Sequence, residues 1–119
     1  MRYLYKLLIS TIFITTFGFG QPAFDVHTIT TSAYGARSVY AIDVDGDGDM
    51  DVLSASDQDD TIAWYENNGS ESFTAHTITS SADGANSVYA VDLDGDGDMD
   101  VLSASWNDDK IAWYENLRL

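Results

Sequence analysis

The stretch SVYAIDVDGDGDMDVLSASDQDDTIAWYEN, residues 38–67, decides the fold, because it is written a second time over residues 87–116. At an offset of 49, residues 27–67 and 76–116 differ only at Thr31/Ser80, Tyr34/Asp83, Arg37/Asn86, Ile42/Val91, Val44/Leu93, Asp57/Trp106, Gln58/Asn107 and Thr61/Lys110. Eight differences in 41 aligned positions leave 33 identities, and Phe24 and Phe73 extend the match. A repeat of this period points to propeller blades or a solenoid.

Within each unit the pattern is that of strands. Ser38–Asp43 is β-branched and aromatic, Met50–Ser56 sends Val52 and Leu53 to opposite faces, and Thr61–Asn67 does the same with Trp64 and Tyr65. Phe73–Thr79 alternates more loosely, and Asp/Gly, Asp/Gln and Asn-Asn-Gly-Ser clusters between these runs are turn chemistry. No helix-period stripe occurs after residue 20. The expectation is an all-β chain of β-propeller blades, two repeats of about four antiparallel strands each. The second repeat supplies strands only at 87–92, 99–105 and 110–116, and the segment matching its absent fourth strand is Phe24–Thr30, expected as a lone strand near the start. Since a closed ring takes about 4–8 blades, two readings stand: an incomplete propeller belonging to a longer chain with additional repeats, or a homo-oligomer that completes the ring.

Outward from the repeats, residues 1–20 have the layout of a secretory signal peptide. Arg2 and Lys6 precede an apolar run from Leu7 to Phe17, and Gly18 and Gly20 sit at −3 and −1 to a cut before Gln21. The run is short for a span of about 20 apolar residues, so no membrane span is expected after cleavage. The expected domains are a signal peptide at 1–20 and two repeats within 21–119, at about 24–67 and 73–116. The location that follows is extracellular: secreted, at the cell surface or in the periplasm. The chain carries five Lys and Arg against twenty Asp and Glu, a net −15, and loss of the leader leaves three bases against twenty acids, a net −17. Such a charge excludes a phosphate backbone as partner, so no nucleic acid is expected. With no cysteine, disulfide scaffolds and thiolate metal sites are excluded too.

Ten of the twenty acids lie in two nine-residue loops: Asp43, Asp45, Asp47, Asp49 and Asp51, then Asp92, Asp94, Asp96, Asp98 and Asp100. Like charges about 4 Å apart repel by about 1 kcal/mol in water and about 4 kcal/mol near a protein surface. A divalent cation relieves that repulsion. Carboxylates at loop positions 1, 3 and 5 converge as the loop coils, Gly48 or Gly97 at position 6 permits the sharp turn, the carbonyl of Asp49 or Asp98 points inward, and Asp51 or Asp100 closes the shell. An all-oxygen set of this kind suits Ca²⁺ better than Mg²⁺, about two ions per chain. It is not an EF-hand: position 12 is Ser54 or Ser103 instead of a bidentate Glu, and the flanks are strands.

The DxDGDGDxD string between two strands, followed by an IAWYEN strand, resembles the FG-GAP/VCBS repeats, which are related to the calcium-binding blades of integrin alpha subunits. The resemblance covers residues 24–119, although Tyr34-Gly35-Ala36 and Asp83-Gly84-Ala85 stand where the literal Phe-Gly and Gly-Ala-Pro run would be. It implies side-chain ligation by Asp43, Asp45, Asp47 and Asp51, with Asp49 acting through its carbonyl, and the same for Asp92, Asp94, Asp96, Asp100 and Asp98. It also implies a role in adhesion or carbohydrate binding, or beside an enzyme.

Nucleophilic catalysis finds no support, since Ser54, Ser56, Ser103 and Ser105 have no base at a readable spacing. His27 and His76 read as hydrogen-bonded strand residues, Trp64 and Trp113 as packing between blades, and Trp106, in a turn, as an exposed ring suited to a sugar. The reading that results is a non-catalytic, structural, calcium-binding module for an extracellular protein or glycan. Its alternatives are a piece of a larger polysaccharide-active enzyme and an oligomeric lectin.

Overall fold

A computed structural model describes residue 18 and residues 20–118. The leader expected over 1–20 therefore lies, apart from Gly18 and Gly20, outside the described residues. Seven strands form: β1 (Ala36–Ile42), β2 (Asp51–Ser56), β3 (Thr61–Asn67), β4 (Phe73–Thr79), β5 (Ala85–Val91), β6 (Asp100–Ser105) and β7 (Lys110–Tyr114). They make two antiparallel sheets, ordered β1-β2-β3-β4 and β5-β6-β7, and neither closes on itself. No helix occurs among the described residues.

The two sheets share one register. Val39 opposes Ser54 and Leu53 opposes Trp64 in the first; Val88 opposes Ser103 and Leu102 opposes Trp113 in the second. Each carries the same irregularity at the start of its first strand, between Ala36 and Ser38 or between Ala85 and Ser87. Equal strings give equal hairpins because turn chemistry and alternation fix register locally.

Alternation also sorts each sheet into two faces. In the first sheet Tyr40, Ile42, Leu53, Ala55, Ile62 and Trp64 share one face, here the front, while Val39, Ala41, Val52 and Tyr65 share the back. The core lies between the front of the first sheet and the back of the second. There Leu53, Ala55 and Ile62 meet Val88, Ala90 and Val101, with Tyr114 packed against them. Val44 joins the cluster, which Ala82 in the connection out of β4 and Ala85 at the start of β5 complete. Their small side chains let the chain pass close over the first sheet, where Ala82 N donates to Asp60 O (3.0 Å) and Gly84 N to the Asp60 carboxylate (2.9 Å).

One expected strand is absent. Phe24–Thr30 forms no strand although its copy Phe73–Thr79 does. A strand needs a neighbour for its N–H and C=O groups, and β4 has β3 beside it while residues 24–30 pair with no strand among the described residues. Phe24 is 89% exposed and Val26 94%.

Candidate metal centre

Each acidic loop joins the first two strands of its sheet, 43–50 between β1 and β2 and 92–99 between β5 and β6. The loop is held by its own carboxylates. Asp43 accepts from Gly46 N (2.7 Å) and Asp47 N (3.1 Å) with Oδ1, and from Gly48 N (2.9 Å) with Oδ2. Asp92 repeats this with Gly95 N (2.8 Å) and Gly97 N (3.0 Å). Gly48 and Gly97 have φ of 95° and 101°, a region closed to side-chain-bearing residues, so the glycine at loop position 6 is a backbone requirement.

The last Asp of each loop is its anchor. Asp51 is fully buried and accepts from Val44 N (3.0 Å) and Asn67 N (2.8 Å), tying the start of the loop to the end of β3. Asp100 does the same with Leu93 N (3.0 Å) and Asn116 N (2.8 Å). The Asn116 N–H is the main reason that the Asp100 pKa lies below its ordinary value, against the opposing effect of burial.

These bonds gather three carboxylates in each loop. Oxygens of Asp43, Asp45 and Asp51 lie within 4.8 Å of one another, as do those of Asp92, Asp94 and Asp100. The side chains of Asp47 and Asp96 are not among these trios; each accepts from the N–H two residues on, Asp49 N at 2.8 Å and Asp98 N at 2.9 Å, as Asp45 and Asp94 do from Asp47 N and Asp96 N (3.1 Å each). Burial, with the neighbouring charges of Asp47 and Asp51, raises the Asp45 pKa. At Asp94 the largest single influence, the Asp96 N–H, pulls the pKa down, but burial and the charges of Asp96 and Asp100 outweigh it and the net shift is upward. Negative charge is thus disfavoured at Asp45 and at Asp94. Three hard oxygen donors around one point fit a hard cation, and the remaining positions of a six- to eight-fold shell suit backbone carbonyls and water.

Asn67 and Asn116 hold the loop ends in a way the sequence reading passed over, their backbone N–H groups on Asp51 and Asp100 and their side-chain amides on Met50 O (3.0 Å) and Met99 O (3.2 Å). Their signal was the final Asn of the repeated IAWYEN string. His76 meets its expectation: Nε2 lies 2.7 Å from the Glu66 carboxylate and the ring stacks on Trp64 with centroids 4.6 Å apart. Trp106 is exposed, its indole resting against Gly84. Among the described residues no helix is long and apolar enough to cross a membrane.

A family model described as FG-GAP-like repeat matches residues 43–103, from the first Asp of the first loop through the second loop into β6. No curated protein and no solved structure matches the chain.

Proposed function

The chain belongs to the FG-GAP-like repeat family, and on that premise we propose that it is a secreted, calcium-binding β-propeller-type repeat module with a structural, non-catalytic role in extracellular adhesion or ligand binding. The observation that carries this reading is the pair of carboxylate trios, Asp43/Asp45/Asp51 and Asp92/Asp94/Asp100, built on identical loops. Calcium bound there supplies positive charge and holds the loop closed. Asp51 and Asp100 link each trio to a buried strand end through Asn67 N and Asn116 N, so the free energy of metal binding becomes folding free energy. Two observations support a role without catalysis. The trio stands in duplicate, once in each unit, and the strand serines are committed to structure: Ser54 Oγ pairs with Tyr65 OH (3.2 Å) and Ser103 Oγ with Tyr114 OH (3.2 Å).

Titrating calcium into chelator-stripped protein by calorimetry tests the reading. The expected result is about two ions per chain and a marked rise in Tm on calcium addition. Asp43→Ala or Asp92→Ala should each reduce the count to about one. A stripped chain that takes up no calcium, or whose Tm ignores it, removes the proposal.

A further inference from the structure

The residues that the two units bury against one another have near-identical counterparts that are more exposed, half-buried at Val52, Leu102 and Ala104 and bare at several other places. Ile62, on the front of the first sheet, is fully buried, and its counterpart Ile111 is 79% exposed. Val88, on the back of the second sheet, is 5% exposed, and its counterpart Val39 is 71% exposed. Ala85 and Ala90 are buried while Ala36 and Ala41 are exposed. The front of the second sheet therefore offers the surface that the first sheet uses to hold a neighbour, and the back of the first sheet offers the surface by which the second is held.

The outer edge repeats this complementarity. β3 carries β4 along its edge, with Trp64 opposite His76 and Ala63 opposite Thr77. Among the described residues β7 has no fourth strand beside it. The sequence that would fill this place, Phe24–Thr30 (FDVHTIT against FTAHTIT in β4), lies at the other end of the chain, exposed from Phe24 to Ile29 and paired with no strand among the described residues.

We propose that a second copy of this chain docks its first sheet on the open front of the β5–β7 sheet, head to tail, and adds its residues 24–30 as the fourth strand along β7. One shift of 49 residues generates every contact from those inside the chain. Trp113 faces the incoming His27 as Trp64 faces His76, and Ala112 faces Thr28 as Ala63 faces Thr77. Asp109, whose φ of 51° matches the 55° of Asp60, takes the incoming Ala33 and Gly35 N–H groups as Asp60 takes those of Ala82 and Gly84. Ser87 Oγ takes Val39 N as Ser38 Oγ takes Val88 N (3.4 Å). The one discord is Asp25, which in this register opposes Glu115 where Thr74 opposes Glu66; like charges directly opposed weaken a strand pair. In the isolated chain residues 27–31 lie beside the back of the first sheet and bound a groove of about 550 Å³ with Val39, Val52 and Tyr65. Docking swings this segment out and fills the groove. Because the two surfaces differ, the contact is heterologous and grows into a ring or a filament.

The test is native mass across a concentration series, in calcium, on the chain expressed with its first twenty residues in place. Wild type should assemble beyond two copies. Val39→Asp spoils only the back and Ile111→Asp only the front, and each alone should be monomeric with an unchanged circular dichroism spectrum, since both side chains are exposed in the single chain. Mixed together, they retain one good front and one good back and should give a two-chain complex that grows no further. Deleting residues 24–30 from the Ile111→Asp chain should abolish that complex. A wild type that stays monomeric at every concentration, or a mixture that fails to pair while wild type assembles, overturns the proposal. A mixed complex indifferent to the deletion overturns the strand addition. Two bound calcium ions in monomeric Val39→Asp would leave the metal reading standing whatever the mass result.

Discussion

Two units with nearly one sequence and one register have opposite exposure. Leu53 is buried and Leu102 is not fully so; Ile62 is sealed and Ile111 is open. Strand pairing is set inside a unit by alternation and turns, whereas burial is set by what lies next to the unit, as in any array whose repeats touch only their neighbours. The sharpest way to break this comparison is to truncate both isoleucines in the monomeric Val39→Asp background. Ile62→Ala should cost about 2–5 kcal/mol by urea unfolding, the range for emptying a sealed aliphatic site. Ile111→Ala should stay within about 0.5 kcal/mol, as for an open surface position. Equal losses would mean that Ile111 is covered within its own chain.

The loop anchors obey the other half of the comparison, for there the two units agree. Asp51 and Asp100 are both sealed, and each accepts from two backbone N–H groups drawn from both ends of its hairpin. Asn at either place keeps one acceptor oxygen and turns an NH₂ toward the second donor. Asp51→Asn should therefore cost about 1–3 kcal/mol, the penalty for a buried donor left unsatisfied, and Asp100→Asn should lower Tm comparably. A large effect at one anchor and none at the other would show that the loops are less alike than their bonds.

A smaller and more diagnostic effect concerns Asp45 and Asp94. A carboxyl whose pKa is raised by folding holds its proton more tightly in the folded chain. Below the ordinary value of 3.8 it imposes no penalty, and as pH rises through the raised value its ionisation works against folding. In chelator-stripped protein Asp45→Asn should thus raise Tm at neutral pH and leave it unchanged well below 3.8. With calcium present the sign should reverse at neutral pH, because the variant has lost a charged ligand. A Tm change of one sign in both conditions would separate Asp45 from the metal.

How much of this was legible in the sequence follows from the same division. Thr61–Asn67 and Phe73–Thr79 are strands over the residues expected, since alternation and flanking turns are local signals. Phe24–Thr30 has the same local signals as Phe73–Thr79 and is not a strand, because a strand is completed by its neighbour. In the loops, spacing indicated that the carboxylates of Asp43, Asp45 and Asp47 converge with Asp51 closing the shell, and the structure gathers Asp43, Asp45 and Asp51. Spacing could not show that Asp47, whose Oδ1 takes Asp49 N, stands outside this trio while Asp51 stands in it. Nor could it show that Asp51 reaches Asn67, 16 residues on, since that contact exists only after β2 and β3 have paired.

The smallest expected effect lies at Thr61/Lys110, one of the eight positions where the units differ. Thr61 Oγ1 donates to Asp59 O (2.9 Å), whereas Lys110 Nζ pairs with the Asp108 carboxylate (2.5 Å). That pairing, assisted by Ser105, holds the Asp108 pKa below its ordinary value and raises that of Lys110. A lowered carboxyl pKa stabilises the fold above the ordinary value of 3.8 and loses that contribution as pH falls through the lowered value. Lys110→Thr, which writes the first unit's residue into the second, should therefore lower the urea midpoint slightly at neutral pH and low salt. The difference should vanish in high salt, because the lysine is exposed and screened. If the loss instead persists in high salt, the lysine's aliphatic stem is covering the turn, and the two units differ there in packing as well as in charge.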